Sequence, residues 1–126
     1  MSLRIHIAQA GSTRKAAEGL RIGVARFLPR GVRRREYARL NYFDVWLPIL
    51  APSRDLLSQF KSSKMSVPTF FRRYRTEMEQ TEPRQTIILL AKIANRQPIT
   101  LCCYCEDETR CHRSVLIRLV REAGEK

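Results

Sequence analysis

The chain has 126 residues and a net charge of +12, from 24 Lys and Arg side chains against 12 Asp and Glu. Its 44% hydrophobic and 29% charged content is typical of a folded globular domain and excludes disordered and collagen-like classes. No apolar run reaches the ~18 residues of a membrane span, and residues 1–10 lack the regions of a secretory signal. We therefore expect a single domain over residues 1–126, located in the cytoplasm, with no membrane partner.

The positive charge is mostly arginine and is concentrated in the N-terminal half. Residues 1–63 carry a net charge of +8 and residues 64–126 carry +4, and the chain has 19 Arg against 5 Lys. The planar guanidinium group suits phosphate and carboxylate oxygens. The excess therefore indicates an anionic partner such as nucleic acid, although a GC-rich genome alone would also encode many arginines.

Two strands are predicted near the N-terminus, where apolar and polar residues alternate. They cover residues 3–8 and 20–27, and Pro29 ends the second strand. Only about nine residues join them, which is short for a parallel crossover and leaves their relative direction open. Residues 32–52 show no clean period and predict a long basic and aromatic connection.

Three helices, a strand and a last helix follow. Ser53 and Ser66 are expected N-caps, and the third helix is expected to begin near Pro83. Residues 99–105 form a β-prone run typical of a strand buried on both faces, and the last helix is expected to begin around residues 109–111. This order predicts an α/β fold: a single, three-layer-like domain with a small, partly parallel sheet covered by helices.

The cysteines are clustered within ten residues, at positions 102, 103, 105 and 111. Such clustering favours thiol, metal or redox roles over a disulfide framework. In parallel sheets, ligands collect at the carboxyl ends of strands, where a helix N-terminus binds anions and lowers the pKa of a nearby thiol. We therefore hypothesise that Cys111 is a nucleophile, that His112 is its acid or base, and that Arg110 and Arg113 bind an anion.

Other roles for the same cysteines stay open. Cysteines inside a buried strand usually act as small apolar residues, and this is the role we favour for Cys102 and Cys103. Cys103, Cys105, Cys111 and His112 offer four zinc ligands, but their spacing is not that of a zinc finger or ribbon, and two of them are adjacent. A redox disulfide from Cys103 or Cys105 to Cys111 is another alternative. Apart from zinc, no cofactor is expected. A phosphatase-type loop, with five residues between Cys and Arg, is not present.

Two basic segments in the N-terminal half are further candidates. Arg26 and Arg30 flank a Pro-containing turn after the second strand, where they could grip a phosphate or carboxylate. If that strand runs parallel to the cysteine strand, both segments open onto one edge of the sheet. The stretch from Arg30 to Arg39 is followed by aromatic residues, which either bind nucleic acid by stacking or pin the loop to the core. No helix-turn-helix, RNP or zinc-finger pattern accompanies it.

Six short motifs, in order along residues 3–123, resemble the DUF488 family (domain of unknown function 488). They are Gly19-Leu-Arg-Ile22, Arg26-x-x-Pro-Arg-Gly31, Trp46, Ala51-Pro-Ser53, Tyr74-x-x-Glu77, and Thr100-Leu-Cys-Cys103 with Cys111-His-Arg-Ser114. The resemblance implies a small cytoplasmic α/β domain and no established reaction. The family pattern is a Cys, seven further residues, and then Cys-His-Arg. The resemblance implies that this pattern falls on Cys103, Cys111, His112 and Arg113. Cys105 stands where relatives often carry an acidic residue, and one branch lacks the Cys-His-Arg segment.

These observations lead to one main hypothesis and two alternatives from other classes. In the main hypothesis the protein binds a phosphate-bearing molecule, such as a nucleotide or nucleic acid, in a cleft. Arg26 and Arg30 form one side of that cleft, and Cys111, His112 and Arg113 form the other. The alternatives are a non-catalytic nucleic-acid-binding module that uses the basic N-terminal half, and a zinc or redox accessory domain.

Overall fold

Four short parallel strands form the sheet in a computed structural model that describes residues 3–62 and 65–125. The strands are β1 (Ile5–Gln9), β2 (Leu20–Gly23), β3 (Val45–Trp46) and β4 (Ile99–Cys103), in the spatial order β1-β4-β2-β3. The last strand therefore lies between the first two, and both pair with it in parallel. This arrangement settles their relative direction: β1 and β2 run the same way without being neighbours, so their short connection is not a crossover between adjacent strands.

The described residues also form four α-helices: α1 (Arg54–Ser62), α2 (Val67–Met78), α3 (Thr81–Ala94) and α4 (Arg113–Gly124). The first two begin where their N-caps predict. The Ser53 hydroxyl accepts a hydrogen bond from the Leu56 N–H (3.1 Å), and the Ser66 hydroxyl accepts one from the Thr69 N–H (3.3 Å). Within the described part of the chain, no helix has the length and apolar character needed to cross a bilayer.

Several predicted boundaries differ from the structure. Strand β1 covers Ile5–Gln9 rather than 3–8, β4 ends at Cys103 rather than at residue 105, and α3 begins at Thr81 rather than near Pro83. The second strand ends at Gly23 rather than at residue 27, because the Val24 carbonyl bonds to the His112 ring instead of to a neighbouring strand. The 32–52 connection contains β3, whose two residues are too few to show an alternating pattern. The last helix does not begin at residues 109–111, because Glu108–Arg110 form a separate 3₁₀ turn and Cys111 is extended (φ −109°, ψ 141°).

The helices pack on one face of the sheet, where the alternation of the strands places the apolar side chains. Ile5, Ile22 and Leu101 lie on this face and belong to one buried cluster with residues of all four helices. The Tyr74 side chain of α2 is fully buried there and donates a hydrogen bond to the Leu50 carbonyl (2.6 Å). The predicted α/β class is confirmed, with a sheet that is parallel in all its described pairs.

The opposite face of the sheet is covered by irregular segments and holds a buried charge. The Arg21 side chain is 0% exposed and pairs with Glu18 of the 3₁₀ turn Ala16–Glu18 (2.9 Å). Its guanidinium also donates to the Asn41 carbonyl (2.6 Å) and to the Ser12 hydroxyl (3.2 Å). The third layer of this small domain is therefore built from turns and from the connection that carries Asn41.

Candidate functional site

A cleft of about 190 Å³ opens at the carboxyl ends of β2 and β4. Parallel strands end at the same edge of a sheet, and the pairing of Gly23 with Cys102 sets the two following segments side by side. The lining combines thiols, an imidazole, cations and apolar side chains: Ala25, Arg26, Phe27, Pro52, Leu57, Phe60, Lys61, Phe70, Cys103, Tyr104, Cys105, Arg110, Cys111 and His112. The two segments that sequence reasoning singled out therefore face one cavity.

Three cysteine side chains meet at the base of this cleft. The side chains of Cys103, Cys105 and Cys111 interact with one another electrostatically. The sulfurs of Cys103 and Cys111 lie within 4.8 Å of each other and of a His112 ring nitrogen. Cys103 and Cys111 are buried, whereas Cys105 is exposed. Cys102 is also buried, but the alternation of β4 directs its side chain to the opposite face, toward Arg21. All four cysteines are free thiols. The cleft therefore receives three of the four.

The interactions among the thiols shift the pKa values of Cys105 and Cys111 in opposite directions. Hydrogen bonds from Cys103 and then from Cys111 lower the pKa of Cys105. At Cys111 a hydrogen bond from Cys103 lowers the pKa, but the Cys105 side chain and burial outweigh it, so that the pKa of Cys111 is raised. The low pKa that sequence reasoning expected at Cys111 is therefore found at Cys105, because Cys111 is 1% exposed and lies before the N-cap rather than inside the first helical turn.

His112 is the N-cap residue of α4 and is held in a single orientation. Its Nε2 lies 2.7 Å from the Val24 carbonyl oxygen, and its Nδ1 lies 3.8 Å from the Cys111 Sγ. A carbonyl only accepts, so Nε2 carries the proton and Nδ1 presents a lone pair toward the sulfur. Burial lowers the pKa of His112 to about 4, which keeps the ring neutral at neutral pH. The Tyr74 ring packs against it edge-on, with 5.2 Å between centroids.

Arg113, the first residue of α4, is a buried cation behind the thiols. Its side chain is 2% exposed, and one terminal N–H donates to the Cys105 carbonyl (2.9 Å). Its Nε has no hydrogen-bond partner, and none of the ion pairs within residues 3–62 and 65–125 involves it. A buried charge without a counter-charge is costly, so an anionic group beside the Cys105 segment would stabilise this site.

The other predicted arginines occupy different positions. Arg26 lines the cleft, and its guanidinium donates to the Pro52 carbonyl (3.0 Å) and the Ala51 carbonyl (3.2 Å). Arg110 is exposed at the cleft, with its guanidinium carbon 5.6 Å from the centroid of the Phe60 ring. Arg30 is exposed and is not among the lining residues. The structure thus brings two of the four predicted anion-binding arginines to the cleft itself.

Sequence reasoning missed the apolar wall of the cleft. Phe60 of α1 stacks on the buried Phe70 of α2 at 4.1 Å between ring centroids, and Phe27 faces them from the segment after β2. Phe60 and Phe70 belong to regular helical stripes, which look the same in sequence whether they line a cleft or a closed core. Their role follows only from the gap between the helices and the sheet edge.

The basic connection between β2 and β3 keeps its aromatic residues inward. Phe43 is 2% exposed and contacts Tyr37 edge-on at 5.2 Å, while the Trp46 indole donates to the Ala25 carbonyl (2.8 Å). These contacts pin the connection to the body of the protein, as one of the two interpretations expected. Arg33 and Arg34 on the same connection are exposed.

Replacing Tyr74 by Phe is expected to lower the free energy of unfolding by about 1–2 kcal/mol, because it leaves the buried Leu50 carbonyl without its donor. Urea unfolding followed by circular dichroism measures the change. Tyr42→Phe, at a half-buried position, is the control and is expected to change stability by less than about 0.5 kcal/mol. Equal effects of the two changes would contradict the importance of the Tyr74 hydrogen bond.

Comparison with known proteins decides the family. The sequence model described as the active DUF488-N3 subclade matches residues 5–124. The chain belongs to the DUF488 family. The uncharacterized protein YeaO of Escherichia coli (strain K12) is 33% identical to it over 105 residues, which cover 83% of this chain and 86% of YeaO. No solved structure matches the chain. The match spans every residue that lines the cleft, and the family membership that the short motifs indicated is confirmed.

Proposed function

We propose that this DUF488 protein binds a small phosphate-bearing molecule in the cleft and that the Cys–His group at the base of the cleft acts on it. One observation carries the proposal. Arginines, apolar walls and three thiols with an imidazole surround a single cavity at the carboxyl edge of a parallel sheet. This edge is where open α/β sheets bind their ligands.

Arg110 and Arg26 are the groups that would bind the phosphate. Arg110 is exposed and its position over Phe60 leaves the N–H edge of the guanidinium free for phosphate oxygens. Arg26 lines the same cavity, and its hydrogen bonds to two backbone carbonyls fix its position. Arg30 lies outside the lining, so the proposal does not depend on it.

The apolar wall favours a ligand with a flat or apolar part beside its phosphate. Phe27, Leu57 and Phe60 line the same cleft as the thiols, and aromatic faces bind planar groups by stacking. Nucleotides combine these two properties. A free phosphate ion would use only the cationic part of the cleft.

Cys105 is the thiol that such a ligand meets first, because it is the exposed member of the three. We assign it the nucleophilic role that sequence reasoning gave to Cys111. The Cys105 thiol would first release its proton to solvent. The thiolate sulfur would then bond to an electrophilic atom of the ligand, and the bond from that atom to a leaving group would break, with the electron pair departing on the leaving group. Cys111, which interacts with Cys105, and His112, 3.8 Å from the Cys111 sulfur, would hold it in place. A reducing cytoplasm would keep these cysteines as thiols.

Removing the Arg110 guanidinium is expected to weaken ligand binding about tenfold or more, because a charge-assisted hydrogen bond contributes about 1.5–3 kcal/mol. Adenosine monophosphate and inorganic phosphate are titrated into isotope-labelled wild type and Arg110→Gln while amide NMR signals are followed. Shifts are expected at residues 25–27 and 103–112. Arg75→Gln is the matched control, since it removes the same charge from an exposed pair with Glu122.

If Arg75→Gln and Arg110→Gln weakened ligand binding equally, the result would contradict binding in the cleft. It would indicate that the net charge of the protein attracts the anion diffusely. Shifts confined to the exposed basic connection around residues 30–35 would also contradict it. Such shifts would favour the nucleic-acid-binding module, whose affinity falls steeply with salt.

A further inference from the structure

We propose that Cys103, Cys105, Cys111 and His112 form a binding site for one zinc ion at the base of the cleft. Zinc binding is inferred from the positions of these four side chains. Only a role of the zinc in reaction with a bound ligand rests on the proposed function. Three thiolates and one imidazole are a ligand set that tetrahedral zinc uses in proteins, although the C-x-C-x₅-C-H spacing is not that of a finger or ribbon.

Three of the four ligand atoms already lie close together, and one pair has the spacing of a tetrahedral site. Zinc bonds of about 2.3 Å to sulfur and about 2.0–2.1 Å to nitrogen place neighbouring ligand atoms roughly 3.5–3.8 Å apart. The Cys111 Sγ and the His112 Nδ1 are separated by 3.8 Å. The ligand atoms of Cys103, Cys111 and His112 all lie within 4.8 Å of one another. Cys105 lies outside this group but interacts with both other thiols, so its side chain would turn inward to become the fourth ligand. Small side-chain shifts would close the set around an ion.

The backbone conformation allows the consecutive residues Cys111 and His112 to bind the same ion. Cys111 is extended (φ −109°, ψ 141°), whereas His112 is helical (φ −59°, ψ −20°). This change of conformation brings two successive side chains together, so that neighbouring residues present a sulfur and a nitrogen to one point.

His112 shows the outer hydrogen bond that metal-binding histidines make. Its Nε2–H donates to the Val24 carbonyl at 2.7 Å, which leaves the Nδ1 lone pair directed toward the thiols. A ligating histidine almost always donates its other N–H to a carbonyl or carboxylate, because this contact fixes the tautomer and the ring orientation. The edge-on contact with Tyr74 restrains the same ring from a second side.

Charge balance supplies an independent argument. On binding, the three thiols release three protons, so that a zinc ion with three thiolates and a neutral imidazole carries a net charge of −1. Arg113 carries +1, is 2% exposed and has no ion-pair partner among the described residues. Its guanidinium donates to the Cys105 carbonyl, next to the proposed site. The zinc centre provides the counter-charge that this buried cation otherwise lacks.

The metal would also explain how Cys105 reacts. A thiol that coordinates zinc is deprotonated outright. Cys105 is the exposed ligand, so its sulfur would face a cleft ligand as a thiolate at neutral pH. This step deepens the proposed function, while the binding of zinc can be tested without any ligand in the cleft.

The test is metal binding by the full chain, produced without a polyhistidine tag and kept reduced. Native mass spectrometry is expected to find one zinc per chain in wild type. Cobalt substitution is expected to give the strong visible absorption of tetrahedral thiolate coordination. Cys105→Ser and Cys111→Ser are expected to lower zinc affinity at least tenfold, measured by competition with a chromophoric chelator. Cys102→Ser is the matched control, because its sulfur lies on the opposite face of the sheet and is expected to leave affinity unchanged.

Cys105 is exposed, so its replacement is expected to leave the metal-free fold intact, which circular dichroism verifies. A wild type that takes up neither zinc nor tetrahedrally bound cobalt would overturn the site. So would a Cys105→Ser protein that binds zinc as tightly as Cys102→Ser. Phosphate binding by wild type and Arg110→Gln is measured in a separate experiment. Failure of the zinc site and failure of the anion site are therefore distinguished.

Discussion

Replacing Arg21 by Met is expected to lower the free energy of unfolding by about 3–5 kcal/mol, because it leaves one member of a buried ion pair without its partner. Arg21 is 0% exposed, and its guanidinium supplies hydrogen bonds to Glu18, to the Asn41 carbonyl and to Ser12. Removing it strands the Glu18 carboxylate at 8% exposure. It also releases the connection that covers the second face of the sheet.

Two comparisons make this prediction specific. The double change Arg21→Met with Glu18→Leu removes both charges, and it is expected to recover much of the loss, since a buried pair replaced by apolar residues is often neutral. Arg75→Met breaks the exposed pair with Glu122 and is expected to cost less than about 1 kcal/mol. Urea unfolding measures all three proteins. An Arg21→Met loss no larger than that of Arg75→Met would contradict the importance of the buried pair.

Gly19→Ala is expected to destabilise the protein by about 3 kcal/mol or more. Gly19 lies just before β2 with φ +67° and ψ −141°, a conformation that side chains rarely adopt. A Cβ there would overlap the Pro98 carbonyl oxygen and lie 2.6 Å from its carbon. Pro98 directly precedes β4, so the strain falls on the start of the β2–β4 pairing that aligns the two sides of the cleft.

The Gly31→Ala change separates the cost of backbone strain at a positive φ from the cost of steric overlap. Gly31 also has a positive φ (+72°), but an added Cβ meets nothing within 4 Å. Its change is therefore expected to cost only the backbone strain of about 1–2 kcal/mol. Thermal and urea unfolding of the two variants measure the difference, and equal losses would contradict the close approach at Pro98.

Much of the architecture could be predicted from local patterns. The alternation at Ile22 and the hydroxyl caps at Ser53 and Ser66 act through neighbouring residues, and the structure has a strand and two helices where they indicate. Arg21 could not be placed in this way. Its position on the polar side of an alternating strand predicts solvent exposure, yet a segment about twenty residues later in the chain covers it.

The candidate site could also be predicted only as far as local sequence patterns determine it. The four clustered cysteines and His112 marked the correct edge of the sheet, because the carboxyl end of a buried parallel strand is a local property. Which thiol is accessible depended on where α4 begins, and a separate 3₁₀ turn moved that start beyond Cys111. The burial of Arg113 and the exposure of Arg30 depend on packing between distant segments, for which spacing along the chain carries no signal.

Peptide-mapped alkylation tests the central claim that anion binding and thiol chemistry share one cleft. Reduced protein is treated with limiting iodoacetamide at neutral pH, with and without adenosine monophosphate. Cys105 is predicted to be labelled first and Cys102 last, since only the former is exposed. The nucleotide is predicted to slow labelling of Cys105 in wild type and in Arg75→Gln but not in Arg110→Gln. Labelling of Cys105 no faster than that of Cys102, or unaffected by the nucleotide in wild type, would contradict it.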